Sequence, residues 1–156
     1  MRKKAGKMRI AAVLILAVCA ICVFGGCHIS KTKSYTFDVD TGDKVMLTLD
    51  TTDHYDMTAK LPFSISHEKE VLMQGKFILG SGYEQYVDAV DRDESSQLLE
   101  SGTKDGNDYI FWCYNNTEYN YVIYVKGSDT GVILSCPVSE DAAKACFDRL
   151  TITLEN

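Results

Sequence analysis

Histidine is scarce in this 156-residue sequence, which contains His28, His54 and His67. None of them stands in the H-E-x-x-H arrangement or in another spacing typical of metal ligands. The acidic stretch at residues 38–43 begins like an EF-hand loop, but no glutamate closes it at the twelfth position. The sequence therefore predicts no metal site.

Catalytic motifs are missing as well. The sequence contains no G-x-S-x-G element of the kind that exposes a serine nucleophile in hydrolases. Cys113 falls on a predicted apolar strand face, whereas a reactive cysteine needs an exposed and electropositive setting. We therefore expect a protein that is not an enzyme, with no catalytic residues and no cofactor.

Cysteine is present in a number that does not suit a disulfide scaffold. Beyond Cys27, the chain has Cys113, Cys136 and Cys146, and an odd set of three excludes complete pairing. Cys113 and Cys136 are predicted two strands apart, about 9.5 Å, which is farther than a disulfide allows. A bond between Cys136 and Cys146 stays open.

The apolar run at the N terminus is short for a membrane span. Residues 1–9 carry five cations and no acid, and residues 10–24 are apolar and uncharged. A basic start, an apolar run of about 7–15 residues and small residues after it are typical of a secretory signal. A spanning helix needs about 20 apolar residues. Gly25 and Gly26 are the small residues expected at a peptidase site.

Phe24-Gly25-Gly26-Cys27 resembles the lipobox of bacterial lipoproteins, although Phe24 stands where these proteins usually have Leu or another aliphatic residue. The resemblance implies that residues 1–26 are a removed signal peptide and that Cys27 is diacylated. Two acyl chains hold a protein firmly on a lipid bilayer. The expected location is the extracytoplasmic face of the cell membrane. An uncleaved signal anchor and plain secretion are the alternatives.

Lysine and arginine are fewer than the acidic residues after the predicted signal peptide. Five of the 16 Lys and Arg residues precede residue 10 and all 22 acids follow residue 26, so the chain after residue 26 has 11 cations and a net charge of −11. Such a surface repels nucleic acid, which requires a basic footprint. It also speeds association with a cationic protein or peptide, which is the partner class expected from charge.

Alternating apolar and polar residues predict strands around residues 35–39, 45–49, 63–67 and 71–79, with residue 67 opposite residue 71. Residues 108–136 predict a three-strand meander in which residue 115 pairs with residue 119 and residue 126 pairs with residue 131. Apolar residues at helical spacing predict one helix that starts with a capping box at Ser81 and Glu84, and a second that is capped by Ser139.

The expected fold is α+β: an antiparallel sheet of about seven or eight strands with two helices packed mainly on one face. Residues 27–34 are the lipidated cysteine and a short polar tether, and residues 35–156 form a single domain. The order of elements in residues 101–155, three meander strands, a helix and a closing strand, resembles that of Mog1/PsbP-like domains. This resemblance implies an arrangement of elements and no particular function.

One face of the meander is the candidate binding face. It carries aromatic and apolar side chains, interrupted by Asn120 and Lys126: Ile110, Trp112, Tyr114 and Tyr124. Exposed aromatic residues of this kind bind carbohydrates or protein partners. The alternative is that the strands of residues 35–79 cover this face in a sandwich, because large exposed apolar patches are uncommon.

Two functional hypotheses follow from the sequence. The first is a non-enzymatic binding or interaction module, tethered to the membrane through acylated Cys27, whose ligand the sequence does not name. The alternative is an acidic inhibitor or immunity lipoprotein that intercepts a cationic hydrolase or peptide.

Overall fold

A computed structural model describes residues 31–155 of the chain. The predicted signal peptide and Cys27 lie outside these residues. The strands of the described part are β1 (Thr32–Asp38), β2 (Lys44–Asp50), β3 (Tyr55–Thr58), β4 (Phe63–His67), β5 (Glu70–Leu79), β6 (Ser96–Lys104), β7 (Asn107–Tyr114), β8 (Glu118–Tyr124), β9 (Thr130–Cys136) and β10 (Leu150–Glu155). The helices are α1 (Gly82–Arg92) and α2 (Glu140–Arg149), and a short 3-10 helix covers Thr52–His54.

The strands form two antiparallel sheets. The larger sheet has the order β3-β4-β5-β9-β8-β7-β6, and the smaller has the order β1-β2-β10. This arrangement with two helices confirms the predicted α+β class and the meander β7–β8–β9. The described chain has ten strands because β3 and β6 were not predicted. Both are edge strands, with one buried residue in β3 and none in β6, so their sequences lack a clear alternating pattern.

The domain begins slightly earlier than predicted. β1 starts at Thr32, which pairs with Asp50 of β2, and the Thr51 amide donates to the Lys31 carbonyl at 2.8 Å. The predicted tether at residues 27–34 is therefore partly a strand. Four residues, 28–31, separate Cys27 from β1.

The main hydrophobic core lies against one face of the large sheet, under the small sheet and α2. β2 places Val45, Leu47 and Leu49 in it, all fully buried, as their alternation predicts. Aromatic rings join the meander to α2: the Tyr121 ring lies 4.2 Å from that of Phe111 and 4.0 Å from that of Phe147. Burial of these large side chains supplies much of the driving force for folding.

The two helices pack on opposite faces of the large sheet, so the prediction that both lie mainly on one face is wrong. Successive residues of a strand point to opposite faces. Phe111 therefore enters the main core beneath α2, whereas Ile110 and Trp112 point the other way and pack with α1. The apolar stripe of α1 covers this second cluster through Tyr83, Tyr86, Val87 and Val90.

The two predicted helix caps have different outcomes. The Ser139 hydroxyl accepts a hydrogen bond from the Ala142 amide at 3.1 Å, which confirms the cap of α2. Ser81 occupies the position before α1, but its side chain makes no capping hydrogen bond. Its backbone is already helical, with φ −63° and ψ −16°, and the Tyr83 amide donates instead to the Gly80 carbonyl at 3.1 Å. The predicted capping box is therefore wrong.

The register of the meander differs from the prediction by two residues at both hairpins. Cys113 pairs with Tyr119 instead of residue 121, and Tyr124 pairs with Gly131 instead of residue 133. A shift of two residues keeps every side chain on its predicted face, because the period of a strand is two. The predicted faces of the meander are therefore correct although the pairing is not.

The β4–β5 hairpin has a tighter turn than predicted. His67 pairs with Glu70 around the two positive-φ residues Glu68 and Lys69, which is the geometry of a two-residue hairpin turn. An irregularity after Ile65 restores the predicted register, so that Ile65 lies opposite Met73. The extra residue keeps both apolar side chains in the core.

The three described cysteines are free and buried. Cys113 and Cys136 both pair with Tyr119, so they lie two strand spacings apart, about 9.5 Å, and cannot form a disulfide without rearrangement. Cys136 and Cys146 both lie in the main core and are not bonded to each other in the structure.

Candidate binding cleft

The candidate binding face is covered for most of its extent. Ile110 and Trp112 are each 5% exposed beneath α1, and the half-buried Tyr124 ring lies 6.3 Å from that of Tyr83. Tyr114 is 41% exposed. The cover is α1, and the alternative arrangement, a sandwich with the strands of residues 35–79, is not formed on this face. β3, β4 and β5 extend the same sheet, and β1 and β2 pack in the main core.

A cleft of about 500 Å³ opens on this face beside the C-terminal half of α1. Its volume lies in the range of small-molecule sites, and its walls combine apolar, aromatic and polar groups in the manner typical of such sites. The lining residues are Pro62, Gln74, Gly75, Lys76, Tyr86, Ala89, Val90, Asp93, Ser96, Trp112, Tyr114, Glu118, Asn120, Ile133 and Ser135. Trp112 and Tyr114 of the predicted face thus line one concave surface.

The pairing of the strands explains why polar side chains lie side by side at the floor of the cleft. Gln74 pairs with Ser135, Ser135 pairs with Asn120, and Asn120 pairs with Trp112. These four residues form a row across β5, β9, β8 and β7, about 14 Å long at ordinary strand spacing. The next row toward the N terminus of α1 is apolar at Ile133, Val122 and Ile110, where α1 packs.

Hydrogen bonds hold part of this floor in place. The Ser135 hydroxyl donates to Asn120 Oδ1 at 2.6 Å, and Asn120 Nδ2 donates to the Glu118 carbonyl at 3.4 Å. Asn120 is 3% exposed, so its amide orientation is restrained by its neighbours. Its second N–H group has no partner among residues 31–155 and remains free to donate.

Two aromatic side chains play different parts in the cleft. The Trp112 ring packs against the Tyr86 ring of α1, with centroids 5.7 Å apart, and joins helix to sheet. Tyr114 lies at the end of β7 between Ser96 of β6 and Glu118 of β8. Within the described chain no other aromatic ring packs against Tyr114. Tyr114 is therefore the aromatic surface available for stacking.

The charges around the cleft are few and of both signs. Asp93 is held at the end of α1, where it accepts from the Ser95 amide at 3.0 Å and the Ser96 hydroxyl at 3.1 Å. Glu118 and Lys76 line opposite parts of the cleft and make no ion pair with any described residue. The cleft can therefore offer hydrogen bonds and one stacking surface to a polar ligand.

Strongly shifted pKa values occur in the main core, on the other side of the large sheet. The hydrogen bond from Tyr109 to Glu100, together with burial, raises the pKa of Tyr109 to about 12. Burial also raises the pKa of Tyr121, and it raises the pKa of Cys146 to about 12. These side chains lie in the main core around α2, where burial and, for Tyr109, the hydrogen bond to Glu100 account for the shifts.

The two described histidines lie away from the cleft. The His67 ring packs against the Tyr55 ring in a tilted arrangement with centroids 4.6 Å apart, and His54 is exposed with a φ of 66°. Over residues 31–155, no three His, Cys, Asp or Glu side chains are grouped closely enough to hold a metal ion.

Sequence reasoning identified Trp112, Tyr114 and Asn120 but missed Gln74, Ser135 and Glu118 as parts of one site. Ser135 is a polar residue on the candidate binding face of the meander, and its position there was the available signal. Gln74 gives no comparable signal, because its place depends on the pairing of β5 with β9.

No helix in the described part of the chain has the length and apolar character needed to cross a membrane.

Comparisons with known proteins identify no relative. No protein-family model, no curated protein and no solved structure matches the chain. The lipobox-type signal and the Mog1/PsbP-like order of elements therefore stay predictions from the sequence.

Proposed function

We propose that this protein is a non-enzymatic binding module that is held on the extracytoplasmic face of the cell membrane through acylated Cys27. The observation that carries the proposal is the cleft of about 500 Å³, in which Trp112 and Tyr114 meet the polar row Gln74, Ser135 and Asn120. Concave sites with a few convergent polar groups are the usual places for ligand binding.

The predicted anchor and the cleft are compatible in one molecule. Four residues separate Cys27 from β1 and span at most about 14 Å when fully extended. The net charge of −11 after residue 26 keeps the domain from lying flat on an anionic lipid surface. A tethered domain of this kind samples ligands close to the membrane.

The chain contains one tryptophan, Trp112, and it lines the cleft. Its intrinsic fluorescence therefore reports on ligand binding. We would titrate the full chain in phosphatidylcholine vesicles, which contain no other protein, with a library of non-aromatic amino acids, neutral sugars, nucleosides and short peptides without tryptophan. We expect at least one saturable change in fluorescence.

Two substitutions on α1 make a matched test of where such a ligand binds. Ala89 is exposed and lines the cleft, whereas Gln85 is exposed on the same helix outside the cleft lining. Ala89→Phe places a large ring in the cleft and should abolish the signal, and Gln85→Phe should leave it unchanged. A signal that survives Ala89→Phe, or a library without any saturable binder, would contradict the proposal.

The second candidate function is the acidic inhibitor or immunity lipoprotein. The outer face of α1 favours it, since Glu84, Asp88 and Asp91 are exposed there and, among residues 31–155, only Asp88 forms an ion pair, with Arg92 at 3.3 Å. Attraction of a cationic protein by this surface weakens strongly when salt rises from about 0.05 to about 0.5 M. A Glu84→Gln, Asp88→Asn, Asp91→Asn variant should slow association with a cationic partner and leave small-molecule binding in the cleft unchanged.

A further inference from the structure

We propose that the ligand of the cleft is a neutral oligosaccharide, with one sugar ring on Tyr114 and the hydroxyl groups of this ring and the next ones on the row Asn120, Ser135 and Gln74. This inference rests on the proposed function, since it names the ligand class of the same site. Three features of the cleft support it: uncharged polar side chains on the sheet, one exposed aromatic ring, and charged side chains of both signs.

The floor of the cleft matches hydroxyl groups. The amide side chains of Gln74 and Asn120 and the hydroxyl of Ser135 can each donate and accept hydrogen bonds. Asn120 retains a free N–H group, and the Gln74 side chain makes no hydrogen bond with any described residue. A sugar hydroxyl also donates and accepts, so the hydroxyls of linked sugar rings can satisfy this row without leaving buried polar groups unpaired.

Tyr114 supplies the apolar contact that a sugar ring requires. One side of a sugar ring is formed mainly by C–H groups and is apolar, so an aromatic ring can bury it. Tyr114 is 41% exposed and lines the cleft next to Glu118, while Trp112 is held against Tyr86. A ligand on Tyr114 therefore reaches both the aromatic surface and the edge of the polar row.

The charges of the cleft disfavour a strongly ionic ligand. Glu118 attracts cations and Lys76 attracts anions, and both line the same cleft. Asp93 has its two carboxylate oxygens occupied by Ser95 and Ser96. An anion meets the negative charges of Glu118 and Asp93 and a cation meets the positive charge of Lys76, whereas Glu118 and Lys76 can both form hydrogen bonds with a neutral polyol.

The experiment uses Trp112 fluorescence of the full chain in phosphatidylcholine vesicles. The probes are glucose, galactose, mannose, N-acetylglucosamine and its β-1,4-linked tetramer, each to about 10 mM, a range that detects weak binding. Lysine amide and adenosine serve as the cationic and the planar aromatic comparison. We expect saturable binding of at least one sugar, with affinity unchanged within about threefold between about 0.05 and about 0.5 M NaCl.

Three variants test the predicted contacts. Tyr114→Ala should weaken sugar binding about tenfold or more, because the stacking surface is lost. Glu118→Gln should change it by less than about threefold, since the amide still accepts hydrogen bonds, whereas a cationic ligand should lose most of its affinity. Leu98→Ala is the control, because Leu98 is 54% exposed near the cleft but does not line it.

The outcomes separate this inference from the proposed function. Binding of lysine amide or adenosine without any sugar overturns the sugar assignment, and sugar binding that Tyr114→Ala leaves intact overturns the contact with Tyr114 on which the proposal is built. In the first case the cleft remains a ligand site, provided that Ala89→Phe blocks binding. If no probe and no member of the wider library binds in a way that Ala89→Phe blocks, both proposals are wrong.

Discussion

The Asp43 carboxylate accepts a hydrogen bond from the Thr130 hydroxyl at 2.7 Å, which links the β1–β2 connection of the small sheet to the start of β9 in the large sheet. The same carboxylate oxygen also accepts from the Asp129 amide at 2.9 Å and from the Thr41 hydroxyl at 3.0 Å. One acidic side chain thus ties together two loops that are 86 residues apart in sequence.

This link predicts a loss of stability in acid. The hydrogen bond from Thr130, supported by those from Thr41 and Asp129, lowers the pKa of Asp43 against the opposing effect of burial. A carboxyl group with a lowered pKa stabilises the fold above its unfolded-state pKa, and this stability is lost as pH falls through the folded-state pKa. Asp43→Ala should lower the unfolding temperature at neutral pH and flatten its acid dependence, measured by circular dichroism. An equally steep acid dependence in the variant would contradict the assignment.

Trp112 and Tyr114 should respond very differently to truncation. Trp112 is buried against α1, so Trp112→Ala should cost about 3–5 kcal/mol of the free energy of unfolding. Tyr114 is exposed, and Tyr114→Ala should cost less than about 1 kcal/mol. Urea unfolding followed by circular dichroism measures both values. Equal losses of free energy of unfolding would show that α1 does not cover the Trp112 side of the sheet. Because Tyr114→Ala should leave the fold intact, it is the variant suited to binding tests.

Lys104 should stabilise the end of α2. Its ammonium group donates to the carbonyls of Leu150 at 2.8 Å, of Asp148 at 3.1 Å and of Phe147. Lys104→Met leaves these carbonyls without that donor, at a cost of about 1–3 kcal/mol in the free energy of unfolding. Lys126→Met removes the same charge from an exposed side chain and is the matched control. If both variants unfold at the same urea concentration, Lys104 does not act as a cap.

The three cysteines of the domain should be unreactive in the folded protein. All are buried, and burial raises the pKa of Cys146 to about 12, so little thiolate is present near neutral pH. In the mature, acylated chain, Ellman's reagent should label no thiol rapidly until urea unfolds the domain, and then label three. If the unfolded chain had two fewer reactive thiols than expected, and reduction restored them, the domain would contain a disulfide. That result would contradict the prediction that all three cysteines are free.

Cys27→Ala should release the protein from the membrane. The prediction rests on the signal sequence, because Cys27 lies outside the described residues. Fractionation and labelling with an alkynyl palmitate analogue measure the effect, with Cys113→Ala as a control that leaves the predicted lipidation site intact. Continued acylation and membrane retention of Cys27→Ala would show that the cleavage assignment is wrong.

Much of the local structure could be predicted from the sequence. The alternation of Val45, Leu47 and Leu49 predicts their burial, and the faces of the meander survive a two-residue error in register. Both regularities are local, because the side chains of a strand alternate whatever the partner strand is. The edge strands β3 and β6 escaped prediction because they bury little.

The candidate site was predictable only in part. Trp112, Tyr114 and Asn120 stand close together on the meander, and their shared surroundings follow from short hairpins. Gln74 joins them through a partner in β9 that is 61 residues away in sequence. No periodic pattern encodes such a long-range pairing, since it depends on the whole order of the strands.

By itself, the sequence determined the α+β class, the two helices and which residues share a strand face, since these depend on side-chain periodicity over a few residues. It also carries the predicted membrane address, which a short segment encodes without a fold. Only the tertiary structure decided that α1 covers the face of Trp112 and that a cleft remains beside it. Both depend on which elements compete to bury the same apolar surface, and that competition is settled by the packing of the whole chain.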